Sequence, residues 1–353
     1  MRVCSGGADL SRPGGRSRKL LRTQSSQGKT PPGPYVCRMK GKGAAYYLSY
    51  AAVWLLSQLP FGIWYGVSEL LFLLLFWVFR YRRAVVSANL TRCFPDWTPA
   101  QRRRTERQFY RHFADLLVET VKGLTLSDRA LARRVQVLNP EIAEAIAART
   151  KGSILLASHH GNHEWLLARI DLLMRDKVPT YAIYSPFRPA FFDELMRELR
   201  ERRGVQMLPM KRAMIQALRK LKQPSLIGFL ADQSPNRSQA QFYMSFLGQP
   251  TAVHTSVARL ALRAQVPVYY ADMRKLRRGR YTLEIRPLPT ENFLPDTPEN
   301  QRRYTEFLNR PLEAAIREQP PYWLWSHRRW KHPMRPEDQR TSGLASTAKE
   351  NNK

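Results

Sequence analysis

Apolar residues recur with two different periods in the second half of the chain. The short apolar runs "SILLAS", "TYAIY" and "SLIGFLA" predict buried strands, and "PVYYADM" and "YTLEIRP" predict two more. Between them, "HEWLLARIDLLMR" and "AFFDELMRELRERRG" repeat apolar residues at helical spacing. Strands that alternate with helices predict an α/β fold with a functional site at the carboxyl ends of the strands.

The most apolar part of the chain covers residues 46–79. Two runs, "YYLSYAAVWLLSQLP" and "FGIWYGVSELLFLLLFWVF", meet at Pro60 and stop at the basic segment "RYRR". The second run is long enough to span a bilayer, and its aromatic residues and basic flanks are typical of a membrane interface. Positive charge on both sides predicts that both ends are cytoplasmic, which favours a hairpin or re-entrant anchor over a single span. The alternative is a helical hairpin buried in the protein core.

Shifts in composition divide the chain into four parts. Residues 1–38 are rich in Gly, Ser, Pro and Arg without a hydrophobic period, which predicts a disordered extension. Residues 39–83 are the predicted membrane anchor, 84–335 the predicted folded domain, and 336–353 a disordered polar tail. Thr98 and Pro99 have the residue types that begin and cap a helix, so a long helix is predicted there.

The net charge indicates an acidic partner. The 353 residues include 58 Lys and Arg against 28 acidic residues, a formal net charge of +30. Such an excess suits nucleic acid, anionic lipid or an acidic protein. Segments such as "RRGRY" and "SHRRWKHP" mix cations with aromatic residues as nucleic-acid-binding proteins do. Because no RNA- or DNA-binding motif accompanies them, and because the chain has an apolar anchor, lipid is the favoured partner and nucleic acid is not predicted.

The stretch "ILLASHHGNHEW" carries the candidate chemistry. His159 directly follows a predicted strand, Gly161 and Asn162 permit a tight turn, and Glu164 falls in the first turn of the next helix. Across such a junction the carboxylate can fold back onto the imidazole and orient it. The other ring nitrogen is then a general base. The spacing alone gives weak support, because matches to it also occur by chance.

A metal site is the alternative interpretation of the same stretch. His159, His160 and His163 are close in sequence, and the first and last have the i, i+4 spacing of helical zinc ligands. However, Gly161 and Asn162 suit a turn rather than a helix, and no second cluster of His, Cys or acidic residues supplies the remaining ligands. We therefore predict no metal and no cofactor. A purely structural role for the cluster is the other alternative.

Several motifs together resemble a known family. The segments "SHHGNHEW", "YSPFRPAFFDELMRELRERRGVQML", "ADQSP", "FLGQPTAV" and "YWLWSHRRWK" occur in the order found in the late lipid A acyltransferases, and "RRAVVSANLTRCFP" precedes them. These enzymes belong to the lysophospholipid acyltransferase-like superfamily, and the resemblance covers about residues 46–332. It implies a glycerolipid acyltransferase-like fold, with a mixed central sheet flanked by helices and an N-terminal membrane-inserted helical segment.

The resemblance also implies roles for individual residues. His159 matches the catalytic base and Glu164 its partner. Arg200 occupies the place of an arginine needed for activity, and Asp232 of "ADQSP" matches an acidic position of the third block. Both are predicted to bind substrate. The alternatives are a solvated helix charge for Arg200 and a cap at a strand end for Asp232.

One position departs from the family pattern. The family often has Arg or Lys directly after the tyrosine of its second block, whereas this chain has Ser185 in "YSPFRP". Arg188, three residues later, is the candidate substitute for substrate binding.

The implied activity is transfer of an acyl chain from acyl carrier protein, an acidic donor, to a hydroxyl of a lipid A precursor at the cytoplasmic face of the inner membrane. No Ser or Cys nucleophile is required, so we expect direct transfer. Backbone amides at Gly161 and Asn162, or a nearby arginine, would stabilise the oxyanion. The alternatives are acylation of a lysophospholipid or another lipid alcohol, and a non-catalytic protein that binds anionic membranes or nucleic acid.

Overall fold

The structure, a computed structural model, describes residues 43–188, 190–240, 242–335 and Asp338. The predictions for 1–38 and for nearly all of 336–353 lie outside these residues. The described helices are α1 Ala44–Gln58, α2 Phe61–Leu73, α3 Arg83–Cys93, α4 Pro99–Lys122, α5 Asp128–Arg134, α6 Ile142–Ala147, α7 His163–Met174, α8 Ala190–Glu201, α9 Ala213–Lys220, α10 Ser256–Ala264 and α11 Pro298–Glu318. The described strands are β1 Val135–Val137, β2 Ser153–Ala157, β3 Thr180–Tyr184, β4 Gln206–Pro209, β5 Leu226–Leu230, β6 Tyr243–Phe246, β7 Gln249–Ala252, β8 Val268–Arg277 and β9 Arg280–Leu288.

Seven of these strands form a central sheet in the order β1-β9-β8-β2-β5-β3-β4. β8 and β9 pair antiparallel, and the other neighbours pair parallel. The predicted α/β fold with a mixed sheet is therefore confirmed, as are the five predicted strands. The pattern did not predict β1 and β4, which have three and four residues, too few to establish a period. It also did not predict the separate hairpin of β6 and β7.

The sheet separates two hydrophobic cores. Successive side chains of β2 point to opposite faces, so Ile154 and Leu156 pack in one core while Leu155 and Ala157 pack in the other. Every residue of β2 is buried, which explains its continuous apolar run. The residue that follows such a strand is held by packing on both sides. The end of β2 is therefore a rigid place for a functional side chain.

A long helix, α4, connects the N-terminal helices to the sheet. It begins as predicted, because Gln101 N donates to Thr98 Oγ1 (3.3 Å) and Thr98 N donates to Gln101 Oε1 (2.7 Å). α2 packs along it with Trp64 and Phe72 buried, and Ser68 Oγ donates to Asp115 Oδ1 of α4 (2.7 Å).

The opposite face of α2 is apolar and exposed. Its exposed residues are Ile63, Val67, Leu70 and Leu73, followed in the π-helical turn Leu74–Val78 by Trp77 and Val78. Among the described residues, Phe61–Val78 is the one helical segment long and apolar enough to cross a bilayer, and only 22% of it is buried. The alternative of a hairpin buried in the core is therefore wrong.

Candidate active site

The register of two central strands brings His159 and Asp232 together. β2 and β5 pair in parallel with Ala157 opposite Leu230, so the positions two residues farther along face each other across the sheet edge. His159 Nδ1 lies 2.7 Å from Asp232 Oδ1, and the main-chain N of His159 donates to Oδ2 (2.9 Å). Trp323 Nε1 also donates to Oδ2 (2.8 Å). Three contacts thus fix the carboxylate against the imidazole.

This pairing sets the charge state of both groups. Burial alone would lower the pKa of His159, but the charge of Asp232 and its hydrogen bond outweigh burial and raise it. Burial alone would raise the pKa of Asp232, but the charge of His159 and the hydrogen bonds hold it well below its usual range. With Nδ1–H donating to Asp232, the lone pair lies on Nε2, which is 3.3 Å from the side-chain nitrogen of Gln233. The imidazole is therefore arranged to accept a proton at Nε2.

The expected contact between Glu164 and His159 is wrong. Glu164 instead accepts two hydrogen bonds from Arg200, from Nε to Oε2 (3.0 Å) and from Nη2 to Oε1 (2.6 Å). The Asn162 side chain caps α7 by accepting from Trp165 N (2.9 Å), and Glu164 lies in that first helical turn. There it meets the nearly buried, permanently charged Arg200, which is a stronger partner for a carboxylate than a titrating imidazole. The charge of Glu164 still contributes to the raised pKa of His159.

Two residues predicted to bind substrate have other partners. Arg200 is nearly buried, with 11% of its side chain exposed, and two of its nitrogens are engaged by Glu164. It is neither a solvated helix charge nor arranged to hold a substrate phosphate with those atoms. Asp232 holds the His159 ring rather than facing a ligand, and it does more than cap a strand end. Arg188 lies exposed in the loop after β3.

The turn after His159 is fixed by its neighbours. Gly161 has a φ of 69°, and a Cβ there would lie 2.9 Å from the carbonyl oxygen of Met273, so this position requires glycine. Gly161 N donates to the carbonyl of Tyr322 (2.9 Å). That amide is already used, and the expectation that it binds the oxyanion is wrong.

The buried carboxylate of Glu119 stabilises the turn after His159 through hydrogen bonds. Asn162 Nδ2 and the Tyr281 hydroxyl both donate to Glu119 Oε2, at 2.7 and 2.8 Å. Trp165 Nε1 donates to the main-chain carbonyl of Glu119 (3.0 Å). Because Glu119 belongs to α4, these bonds connect the candidate site to the helix against which α2 packs.

The three histidines do not converge on a common point. His159 Nδ1 contacts Asp232, whereas the two ring nitrogens of His160 contact the main-chain carbonyls of Met273 (3.2 Å) and Gln319 (3.1 Å). His163 lies beside Glu164, and burial together with the charge of His159 lowers its pKa to about 4. Among the described residues, no group of three His, Cys, Asp or Glu side chains is placed to hold a metal ion.

Sequence reasoning missed three side chains of this site. Gln233 and Trp323 lie inside the motifs "ADQSP" and "YWLWSHRRWK", but the motifs alone do not indicate a role for either. Glu119 lies in a helical segment without a motif. In the sequence, the importance of Glu119 is indicated only by its position, because the helical period places this acidic residue among apolar ones.

We expect Arg200→Lys to lower both stability and activity. Lysine keeps the charge but cannot form the two parallel bonds to Glu164, and losing one buried charge-assisted hydrogen bond costs about 1.5–3 kcal/mol. The carboxylate of Glu164, whose charge acts on His159, would then change its position. Arg197→Lys on the same helix is the matched control, because Arg197 is 42% exposed and pairs only at 3.5 Å with Glu201. Thermal unfolding and initial rates of acyl transfer would test this. Equal effects at the two positions would contradict it.

Comparison with known proteins identifies the family of this chain. A model of the family described as bacterial lipid A biosynthesis acyltransferase matches residues 38–332. A lipid A biosynthesis lauroyltransferase of Escherichia coli strain K12 is 26% identical over 296 residues, covering 82% of this chain and 92% of that protein. A lipid A biosynthesis acyltransferase of Haemophilus influenzae is 24% identical over 289 residues, covering 75% and 86%. A lipid A biosynthesis palmitoleoyltransferase of E. coli K12 is 23% identical over 294 residues, covering 81% and 92%. The chain is therefore an acyltransferase and belongs to the bacterial lipid A biosynthesis acyltransferase family.

Proposed function

We propose that this protein transfers a fatty acyl chain from acyl carrier protein to a hydroxyl of a lipid A precursor at the cytoplasmic face of the inner membrane. The observation that most directly supports this proposal is the His159–Asp232 pair at the carboxyl edge of the sheet, with the lone pair of His159 on Nε2. We extend the proposal to the organisation of the chain. Residues 39–83 anchor it, and 84–335 form the acyltransferase domain.

The pair can perform one direct transfer. The acceptor hydroxyl takes the place of the Gln233 amide at Nε2 and gives its proton to this nitrogen as its oxygen bonds to the thioester carbonyl carbon. The charge of Asp232 stabilises the imidazolium that forms. As the carbon–sulfur bond breaks, the proton moves from Nε2 to the departing sulfur. The products are the ester and the free thiol, and neither metal nor cofactor takes part.

The charge of the protein supports the choice of partners. Both acyl carrier protein and phosphorylated lipids are acidic, and the net charge of +30 attracts them. The exposed apolar face of α2 supports binding beside a bilayer, where donor and acceptor meet.

The direct test uses purified protein, acyl carrier protein carrying a fatty acyl chain, and a lipid A precursor. We expect thiol release to depend on the acceptor and to match the amount of acylated lipid. Mass spectrometry of lipid A from cells without the gene is expected to show the loss of one acyl mass. Faster acylation of a lysophospholipid would support the alternative acceptor, and no transfer to any lipid would contradict the proposal.

We expect the apolar face of α2 to hold the protein in the membrane. The Leu70→Lys/Leu73→Lys variant places two charges on this face, and each costs about 2.5–3.5 kcal/mol at the centre of a membrane-spanning helix. Leu138→Lys is the control, since Leu138 is 54% exposed beyond the end of β1, at the sheet edge opposite His159. Extraction of membranes with alkaline carbonate would measure retention. Release of the wild-type chain, or equal retention of both variants, would count against an integral anchor.

A further inference from the structure

A basic cavity of about 330 Å³ lies at the N-terminal end of α2. Its lining includes the Phe61 ring and four cationic residues, Lys122, Arg133, Arg134 and Arg280. None of the candidate active-site residues lines it. The cavity is therefore a separate feature of the protein.

The four cations lack carboxylate partners among the described contacts. The side chains of three of them donate hydrogen bonds to main-chain carbonyls. Lys122 Nζ donates to Ser57 (2.7 Å), Arg134 Nη1 donates to Gly279 (3.1 Å), and Arg280 Nη1 donates to Arg133. Burial and the nearby charge of Arg134 lower the pKa of Lys122. Like charges held this close repel one another, so an anion in the cavity would stabilise them.

The nearby carboxylate of Glu119 does not serve as this anion. Its charge acts on Arg134, but its oxygens accept hydrogen bonds from Tyr65, Asn162 and Tyr281. Glu119 is fully buried and does not line the cavity. The open side of the four cations therefore faces a space that an external anion can enter.

We propose that this cavity binds the phosphate of an anionic membrane phospholipid. Arginine forks match phosphate oxygens, and Arg134 is held in place with its guanidinium 3.4 Å from the centre of the Phe61 ring. The cavity is lined by Pro60 and Phe61, where α1 ends and α2 begins, and the exposed apolar residues Leu55, Leu56 and Ile63 flank this junction in sequence. We expect the acyl chains of such a lipid to lie along these exposed apolar residues. The inference shares with the proposed function only the membrane association and requires no acyl transfer.

The test measures lipid binding by the full-length protein in neutral detergent. Short-chain phosphatidylglycerol and phosphatidylcholine are titrated separately, and binding is followed by phosphorus NMR. We expect phosphatidylglycerol to bind more tightly. Arg133→Gln/Arg280→Gln is expected to weaken its binding by about tenfold or more, because charge-assisted hydrogen bonds are about twice as strong as neutral ones. Arg302→Gln/Arg303→Gln on α11 removes the same charge from an exposed surface and is expected to bind like the wild type.

The charge-retaining variant Arg133→Lys/Arg280→Lys separates loss of charge from misfolding, since it is expected to keep most of the binding. Equal affinity for the two lipids, or equal losses in the cavity and control variants, would overturn the proposal. So would a raised KM for the lipid A precursor with unchanged phosphatidylglycerol binding, which would assign the cavity to the acceptor. A protein without any acyl transfer activity is still expected to show this binding, so the two proposals can fail separately.

Discussion

We expect His159→Ala to lower kcat for acyl transfer by about 10²–10⁴-fold, the usual effect of losing a general base. The variant is expected to stay folded, because Asp232 retains its hydrogen bonds from Trp323 Nε1 and from the main-chain N of residue 159. Initial rates with saturating donor and acceptor would measure the loss, and circular dichroism and thermal unfolding would establish the fold. Near-wild-type activity of a folded variant would contradict the proposed mechanism.

His163→Ala is the control for this experiment. The His163 ring lies 4.8 Å from that of His159, but its nitrogens do not contact Asp232, and its low pKa keeps it neutral. We expect a much smaller loss of activity than at His159. If His159→Ala, His160→Ala and His163→Ala were equally inactive, and a chelator abolished wild-type activity, the metal alternative would be supported instead.

The fold could be predicted where residues repeat regularly. β2 is buried throughout and β5 and β8 are buried over most of their length, so each contains an apolar run, and α7 and α8 show helical spacing. Short elements such as β1 have no period to detect. The order of strands was also not predictable. Strand order depends on packing between distant segments, and a local pattern carries no information about it.

The same limit explains the errors at the site. Sequence proximity suggested Glu164 as the partner of His159, although they belong to different elements. The actual partner, Asp232, is 73 positions away and becomes adjacent only because β2 and β5 pair in register. Similarly, the family resemblance identifies Arg200 as a site residue, but its contact with Glu164 depends on how α8 packs against α7. The sequence therefore identifies His159, Glu164, Arg200 and Asp232 as site residues, but not which of them are in contact.

The other large effect is expected for Asp232→Asn, which keeps the shape of the side chain and removes its charge. The carboxylate holds the Nδ1–H tautomer and stabilises the imidazolium. The same change in a Ser-His-Asp triad lowers kcat about 10⁴-fold, and we expect a loss of about 10³–10⁴-fold here. The main-chain N of His159 and Trp323 Nε1 can still donate to the remaining carbonyl oxygen, so the fold is expected to persist.

The pH dependence distinguishes this charge role of Asp232 from a structural one. A general base acts only when neutral, so wild-type activity is expected to rise with pH through the pKa of His159, which the charge of Asp232 raises above its ordinary value. In Asp232→Asn that charge is absent, so the pKa of His159 falls. The acid limb of the activity profile is then expected to move to lower pH, while the maximum rate decreases. Glu164→Gln is the comparison, since Glu164 raises the pKa of His159 less than Asp232 does and should move the limb less. If Asp232→Asn lowered the rate equally at every pH, the carboxylate would only hold the ring in place, and its charge would have no part in accepting the proton.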